Sequence, residues 1–485
     1  MAKNAKKNPK KFYSYLKSKT SNRVGVGPLL GEEGLVTDDK EMAGILNAQY
    51  TSVFTSEDTT SMPEPELLYT GGNPLNVVRF EREEVEKKLR KVKSSGAPGP
   101  DGLWSKVLHD MAEVLAVPLT IIFNRLMEEG GVPQIWRMAN VCPIFKKGTK
   151  GDPANYRPVS LTCVVGKVME SLIRDKIVEH LERNRLIRAS QHGFMAGRST
   201  TTNLDALTKL MEEGKAVDVL YLDFAKAFDK VPHLRLLQKC QGLGVGGKVL
   251  EWIRAWLGDR QQRVVLNGEK SEWAEVLSGV PQGSVLGPTL FLIFINDIDR
   301  AVDLTSSMLL KFADDTKMAR VVESSEQQRE FQSNIDRLEQ WSDDWQMLFN
   351  SGKCHILHLG FNNSKHEYRM GGEVLQTVEF EKDVGVIVHQ SLKPSMQCAR
   401  AAARANAVLG QISRAVSYRD AKTFLKLYTV YVRPHLEYAV ASWSPWEVGD
   451  KETLENVQRR ALTMVSNLRG RNYRARLEEV GMLSL

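Results

Sequence analysis

Three aspartates are the residues of this sequence best suited to carry chemistry. Asp223 ends the apolar run VDVLYL, and Asp314 and Asp315 stand between two further apolar runs. Each carboxylate alone has an ordinary explanation, because aspartate caps helices and forms tight turns. If the three converged, two unit charges about 4 Å apart would repel by roughly 4 kcal/mol at an effective dielectric near 20. A convergent trio therefore predicts bound cations, and carboxylate oxygens beside a phosphate site favour Mg²⁺.

The pattern of apolar residues predicts the elements that would position these aspartates. Short apolar runs indicate strands, and a tight hairpin would carry Asp314 and Asp315 at its turn. The clearest amphipathic helix runs from Phe331 to Leu348, with an aromatic stripe that packs on a sheet. The predicted strands are 141–147, 217–222, 308–312, 316–322 and 355–359, and the predicted helices are 81–93, 103–129, 161–184 and 284–298. Strands mixed with helices indicate an α+β fold rather than a doubly wound parallel sheet.

The two ends of the chain differ in composition. Residues 1–75 alternate polar and Gly/Pro-containing stretches, and we expect an extension with little structure of its own. The first twenty residues hold seven lysines and no acidic residue. Residues 395–435 are predicted to be helical and hold seven basic residues against one acidic residue. A terminal lysine run is commonly a solvated tail, whereas a basic helical face suits contact with a phosphate backbone.

The overall composition narrows the class of protein. A hydrophobic content of 42% is enough for a sizeable core and argues against disorder. A formal net charge of +7 favours a polyanionic partner without requiring one. The five cysteines are scattered and never spaced as CxxC, so the pattern indicates a reducing intracellular compartment and no zinc or disulfide framework. The longest apolar runs are too short to span a bilayer, and no membrane partner is expected.

Several blocks of sequence resemble a known family. LYLDFAKAFDKVPH (220–233), SGVPQGSVLGPTLFLIFINDI (278–298) and KFADDTKMA (311–319) resemble motifs A, B and C of reverse transcriptases in their order and spacing. The class that they resemble most is that of the non-LTR retrotransposons, the LINE-type and jockey-like elements. Blocks similar to the fingers motifs of these enzymes are GAPGPDGL (96–103), NVCPIFKKG (140–148), NYRPVSLTCVVGKVMESLI (155–173) and SQHGFMAGRSTTTNL (190–204).

The resemblance implies a right-hand polymerase fold with fingers, a palm whose antiparallel sheet has helices on one face, and a helical thumb. The implied division is a connector at 1–75, a helical lead-in to the fingers at 76–126, fingers and palm at 127–388, and a thumb at 389–485. The implied activity is RNA-directed DNA synthesis by two-metal nucleotidyl transfer to a primer 3′-hydroxyl. The partners would be an RNA template, a DNA primer and deoxynucleoside triphosphates, with action in the nucleus; protein partners are not predicted.

The resemblance also assigns the catalytic positions. Asp223 and Asp314 would be the principal ligands of two Mg²⁺ ions, for which Mn²⁺ could substitute, and Asp315 would have a lesser role. The backbone carbonyl of Phe224 would be a further ligand. Lys353 would protonate the leaving pyrophosphate, which suits a lysine whose pKa is lowered by burial.

Other positions would bind the nucleotide. Phe228 matches the aromatic steric gate, whose ring occupies the place of a ribose 2′-hydroxyl and so selects deoxynucleotides. Gln282 and Gly283 match the loop that supports the templating pair, where glycine allows close backbone approach. Arg157 would grip the triphosphate with paired donors. The ordinary alternative for Phe228 is a core phenylalanine, and the ordinary alternative for Arg157 is a surface ion pair.

Basic side chains would contact the nucleic-acid backbone. Lys146, Lys147 and Arg198 lie in the fingers-like blocks, although solvated charge explains them equally well. Arg400 and Arg404 share one face of a helix beginning near residue 397, and each phosphate that they neutralised would add to the salt dependence of binding. The hairpin at 381–393 resembles a primer grip.

The chain departs from the family pattern in places. Met195 stands where related elements often have arginine, so one positive charge is missing. Nothing in residues 1–75 resembles the endonuclease that usually precedes such a polymerase. This absence would be expected of a truncated copy of a mobile element. A catalytically silent nucleic-acid-binding remnant is therefore the alternative hypothesis. An RNA-dependent RNA polymerase is disfavoured by Phe228 and by FADD in place of GDD.

Overall fold

A computed structural model describes residues 25–32, 34–211, 214–360, 362–416 and 419–485. These residues form two five-stranded sheets, three two-stranded hairpins and a set of packed helices, which confirms the mixed α and β composition. The strands are β1 Leu29–Gly31, β2 Gly34–Val36, β3 Met138–Phe145, β4 Tyr156–Leu161, β5 Val217–Leu222, β6 Arg260–Leu266, β7 Glu269–Lys270, β8 Ala274–Val276, β9 Met308–Phe312, β10 Asp315–Val321, β11 His355–Leu359, β12 Arg369–Met370, β13 Glu373–Val374, β14 Gln376–Val378, β15 Phe380–Asp383 and β16 Val386–His389.

The helices are distributed along the whole described chain. They are α1 Asp39–Thr51, α2 Arg82–Lys91, α3 Ser105–Asp110, α4 Ala112–Glu129, α5 Gln134–Arg137, α6 Val164–Arg183, α7 Thr200–Met211, α8 Ala227–Lys230, α9 His233–Gly242, α10 Gly247–Leu257, α11 Gly287–Phe294, α12 Ser325–Asp344, α13 Ser395–Ala415, α14 Ala421–Leu427, α15 Arg433–Glu437, α16 Val448–Thr463 and α17 Tyr473–Val480. None of the helices in the described ranges is both long enough and apolar enough to cross a lipid bilayer.

The central sheet has the strand order β14-β11-β5-β10-β9. Strand β5 pairs antiparallel with β11 and β10, and β10 pairs antiparallel with β9; only β14 runs parallel to its neighbour β11. Successive side chains of β5 point to opposite faces. Leu220 and Leu222 join the main helical core, whereas Val217 and Val219 pack against Leu207 of α7. The prediction of helices on one face is therefore wrong, because α7 covers the other face.

Two helices frame the central sheet from the core side. The predicted apolar helix at 284–298 is shorter than expected: α11 begins at the Gly287-Pro288 pair and continues as a 3₁₀ turn after residue 295. Proline suits a first helical turn because its missing N–H would be unpaired there. Helix α12 begins at a capping box formed by Ser324 and Gln327, and its predicted aromatic stripe is buried except for Leu348, which lies beyond the helix.

The second sheet has the order β4-β3-β6-β7, with β8 also paired to β6. Helix α1 packs on it through Leu46 and Tyr50, which share a core with Val141 and Tyr156. The expectation that residues 1–75 have little structure of their own is thus wrong for 29–51, which form the β1–β2 hairpin and α1. Residues 1–24, with their lysine run, lie outside the described residues.

The C-terminal helices have a core of their own. Helix α13 packs against α16 through apolar side chains that include Ala405, Leu409 and Ala461. Leu204 of α7 and Val386 of the β15–β16 hairpin belong to the same core. Helix α7 and the β15–β16 hairpin, which lie beside the central sheet, therefore join this helical unit to the sheet.

Candidate active site

The central sheet brings Asp223 and Asp314 into one cleft. Thr316 pairs with Leu222, so the turn between β9 and β10 lies beside the residue that follows β5. Both aspartates line the same cleft, whose volume is about 490 Å³. Desolvation raises the pKa of Asp314, and the negative charge of Asp223 raises it further, while Arg157 lowers it. The two carboxylates therefore repel each other within the cleft, and a bound cation would relieve this repulsion.

Asp315 faces a neighbouring cavity instead. This cavity of about 270 Å³ is lined by Asp315 and Asp223, and also by the buried ion pair of Lys317 with Asp383. Desolvation raises the pKa of Asp315 to about 6, and the carboxylate of Asp314 is the next cause. Within the described ranges, no three His, Cys, Asp or Glu side chains lie close enough to hold a metal ion by themselves. Asp223 lines both spaces, and of the three aspartates Asp223 and Asp314 share the cleft; the lesser role of Asp315 stays a prediction.

The backbone at Phe224 offers a further oxygen. Phe224 forms an antiparallel bridge with Phe349, flanked by hydrogen bonds from Ala225 N to the Leu348 carbonyl at 3.1 Å and from Asn350 N to the Asp223 carbonyl at 2.7 Å. In this pattern the bridged pair exchanges no hydrogen bonds, so the N–H and C=O of Phe224 point to the opposite side. That side carries β10 and its turn. Two carboxylates and a carbonyl form a hard oxygen set that fits Mg²⁺ once phosphate and water complete it.

Basic side chains surround the carboxylates. Lys353 Nζ lies 3.3 Å from Asp223 Oδ2, and both side chains are about half exposed. Lys146, Lys147 and Arg157 line the same cleft. Desolvation lowers the pKa of Lys146, and the neighbouring positive charge of Arg157 lowers it further. Clustered cations beside carboxylates suit the binding of a polyphosphate, because the phosphates neutralise the cations and bridge to any bound metal.

The predicted nucleotide-binding residues form another wall of this cleft. The Phe228 ring stacks on Phe291 with centroids 4.6 Å apart and an interplanar angle of 20°. Phe228 also lines the cleft, so the side chain is both a core contact and part of the wall. Gln282 and Gly283 also line the cleft.

The loop that carries Gln282 is held from two sides. Gln282 Nε2 donates to Asp229 Oδ1 at 3.0 Å, and Ser160 N donates to the Gln282 carbonyl at 2.7 Å. Gly283 has a φ of +113°, and a Cβ there would come within 2.6 Å of the Ser160 carbonyl oxygen. Only glycine fits this position without strain, so the loop sits directly on β4.

Three predicted residues lie away from the cleft. Arg198 Nη1 donates to the carbonyls of Ala189 and Gln191, both at 2.5 Å, and therefore holds a loop together. Arg400 is half-buried and Arg404 is exposed on α13, and neither lines the cleft. The structure brings the other predicted residues together, apart from Asp315.

Gln191 is a residue that the sequence did not mark for function. Its side chain is 1% exposed, and Oε1 accepts hydrogen bonds from Ala313 N at 3.1 Å and Gly193 N at 2.8 Å. Ala313 has a φ of +58° and directly precedes Asp314. The backbone of the same loop also bonds to Lys311 of β9, so the loop extends the edge of the sheet. Gln191 thus fixes the turn that presents Asp314.

Gln191→Met is expected to slow nucleotide addition by about tenfold or more, because a displacement of about 1 Å at a catalytic group can cost 10²-fold. Methionine retains the volume but leaves two backbone donors without an acceptor. Single-turnover primer extension at graded Mg²⁺ concentrations should show a higher metal requirement with unchanged primer–template affinity. Asn334→Leu is the matched control, since Asn334 is a buried amide that accepts from Asp303 N at 3.0 Å. An equal change in metal requirement in both variants would contradict the role.

Comparison with known proteins decides the family. The profile described as "Reverse transcriptase (RNA-dependent DNA polymerase)" matches residues 144–391, slightly more than half of the chain. The chain belongs to the reverse transcriptase family. The match contains both aspartates of the cleft, the gate-like Phe228 and the Gln282 loop.

Individual relatives narrow the class. The chain is 30% identical over 327 residues to the RNA-directed DNA polymerase from the mobile element jockey of Drosophila funebris, covering 64% of this chain and 35% of that protein. It is 29% identical over 287 residues to the probable RNA-directed DNA polymerase from the transposon X-element of Drosophila melanogaster, covering 58% and 32%. The predicted resemblance to jockey-like, non-LTR elements is confirmed. The chain spans about a third of the length of these curated relatives.

Proposed function

We propose that this reverse transcriptase is an RNA-directed DNA polymerase that extends a DNA primer on an RNA template. The observation that carries the proposal is the single cleft that joins Asp223 and Asp314 to five basic side chains and to Phe228. Two carboxylates suit metal-assisted nucleotidyl transfer, and the basic side chains suit the triphosphate of a deoxynucleotide. Nuclear action is proposed from the class alone.

The proposed architecture is that of a right hand. The sheet of β3, β4 and β6 would be the fingers, the central sheet the palm, and the helices from α13 onward the thumb. The proposed boundaries are those predicted from the sequence, 76–126 for the lead-in, 127–388 for fingers and palm, and 389–485 for the thumb. The core shared by α13 and α16 supports a separate thumb unit. Residues 29–51 would then be an addition to the fingers rather than a connector.

The proposed reaction assigns a task to each wall of the cleft. When bound, two Mg²⁺ or Mn²⁺ ions would activate the primer 3′-hydroxyl and stabilise the leaving pyrophosphate. Asp223, Asp314 and the Phe224 carbonyl would hold the ions. Lys146, Lys147 and Arg157 would bind the triphosphate and orient it.

The remaining tasks concern the proton and the base pair. Lys353 would leave Asp223 and give a proton to the pyrophosphate oxygen. The Gln282 loop, fixed by Asp229 and Ser160, would support the templating pair. Arg400 and Arg404 are proposed to follow the backbone of the product duplex from α13, outside the cleft.

Primer extension tests the proposal directly. The purified chain should add deoxynucleotides to a labelled DNA primer on an RNA template in the presence of Mg²⁺, and EDTA should stop the reaction. Fluorescence anisotropy measures binding of the same primer–template in parallel. Binding without extension would contradict the proposal and support the silent nucleic-acid-binding remnant. Efficient use of ribonucleotides by the wild type would instead support an RNA polymerase.

A further inference from the structure

An apolar face on α3 and α4 has no partner among the described residues. Trp104, Val107, Met111, Val114 and Ile121 are between 42% and 67% exposed, although they are large hydrophobic residues. The other faces of the same helices are buried normally, through residues such as Leu108, Ala116, Phe123 and Met127. The face lies before residue 144, outside the segment that matches the family profile. It therefore needs an explanation that is separate from the active-site cleft.

The spacing along this face is that of a coiled-coil seam. Trp104, Val107, Met111, Val114, Pro118 and Ile121 follow one another at steps of three, four, three, four and three residues. Helix α3 ends and α4 begins at Met111, whose φ of −101° and ψ of 20° are not helical. The two helices remain linked there, since Met111 N donates to Val107 O and Leu115 N donates to Met111 O, both at 3.0 Å. A repeat that averages 3.5 residues forms a narrow stripe, and such stripes pack against another helix. Val117 and Ile122 flank the stripe, at 48% and 45% exposure.

The size of the face is that of an interface. Side chains of this size at these exposures present on the order of 700 Å² of largely apolar surface, which is above the 300–600 Å² of typical monomer patches. It is close to the ~800 Å² that each partner contributes to a stable protein–protein interface. The exposed area is therefore in the range of such interfaces.

The charges at the two ends of the seam identify the partner. Asp110 lies seven residues before Val117, and Arg125 lies eight residues after it. Both are exposed, and each would exchange an intramolecular partner in the dimer, His109 for Asp110 and Glu129 for Arg125. A second copy packed antiparallel about a point near Val117 would place each Asp110 beside the partner's Arg125. A parallel copy would bring like charges together, which is unfavourable. The pattern is thus complementary to itself in one orientation only, and two-fold homodimers are the commonest assemblies.

We propose that this face is a homodimer interface in which the α3–α4 seams of two copies pack antiparallel about a two-fold axis near Val117. Each molecule would contribute the same surface, as an isologous contact requires. The active-site cleft plays no part in the interface, so dimerisation and polymerisation can be tested separately.

Analytical ultracentrifugation of the full chain tests the dimer. The wild type should sediment as a dimer at about 20 µM, the range expected for an interface with a micromolar Kd. Val114→Glu should weaken the dimer at least tenfold. Val448→Glu is the matched control, since Val448 is 71% exposed on a different helix, and it should sediment like the wild type. Circular dichroism confirms that both variants are folded.

Charge exchange and cross-linking test the orientation. Asp110→Arg and Arg125→Asp should each weaken the dimer, and the double variant should restore it to within about threefold of the wild type. Val117→Cys should form an intermolecular disulfide under mild oxidation, whereas the wild type, with its own five cysteines, should not. A monomeric wild type at about 100 µM, a dimer insensitive to Val114→Glu, or a double variant that stays weak would each overturn the proposal. In the first case the face would belong to another partner.

Discussion

Asp314→Asn should reduce primer extension by on the order of 10³-fold or more, a loss of about 4 kcal/mol of transition-state stabilisation. Asparagine keeps the size of the side chain but removes the charge that would hold a cation opposite Asp223. Asp229 also lines the cleft, but its carboxylate accepts a hydrogen bond from Gln282, and Asp315 faces the neighbouring cavity. Neither is therefore expected to replace the lost charge. Single-turnover extension on a saturating primer–template is the measurement. Asp223→Asn should have an equally severe effect, because both aspartates line the same cleft.

Asp314→Asn should keep or gain folding stability although it loses activity. Asp314 lies in a desolvated position beside the charge of Asp223, and both effects raise its pKa. A raised carboxyl pKa in the folded state means that the ionised form is less favourable there than in the unfolded chain, so at neutral pH it reduces stability. Without added metal, Asp314→Asn should therefore melt at the same temperature as the wild type or higher.

A control separates chemistry from damage to the fold. Asp336→Asn changes an exposed aspartate of α12, far from the cleft, and should leave both activity and melting temperature unchanged. Retention of more than a few per cent of wild-type activity by Asp314→Asn would refute its role as a principal ligand. A lower melting temperature in that variant would point to a structural role instead.

The sequence predicted the centre of this fold closely, for a physical reason. Strands β5 and β11 have the predicted bounds, and the hairpin of β9 and β10 differs by one residue at each end of β10. These strands are short, apolar and bounded by polar turns, so local pattern and tertiary environment agree. The resemblance to motifs A, B and C then placed Asp223, Asp314 and Phe228 together, and the cleft confirms that they lie together.

The errors in the sequence interpretation arose where local pattern and tertiary packing differ. The sequence ranked Asp315 behind Asp314 but could not show that Asp314 lies in the turn while Asp315 opens β10 and lines the neighbouring cavity. Helix α1 was missed because its buried positions pack on a sheet that is more than 90 residues away in the chain. Gln191 could not be recognised because burial and hydrogen bonding of an amide depend on contacts that no local pattern encodes.

Sugar selection is expected to depend on Phe228. In Phe228→Ala, the preference for deoxynucleotides over ribonucleotides should fall at least tenfold, or about 1.4 kcal/mol. The ring stacks on Phe291 and also lines the cleft, so its removal should open space there, and under the proposed gate role this space would admit a ribose 2′-hydroxyl. The ratio of kcat/KM for the two nucleotides, measured by single-nucleotide insertion on the same RNA template, reports the change.

The loss of core packing in Phe228→Ala must be distinguished from the loss of sugar selection. Removing a phenylalanine from a core costs roughly 3–5 kcal/mol when it is fully buried, and less for Phe228, which is partly exposed. Phe349→Ala is the matched control: its ring stacks on Phe224 with centroids 4.7 Å apart, but it does not line the cleft. Both variants should lose stability, and only Phe228→Ala should accept ribonucleotides. An unchanged sugar preference in a folded Phe228→Ala variant would place the gate at another residue, since stacking on Phe291 would then be the whole contribution of this ring.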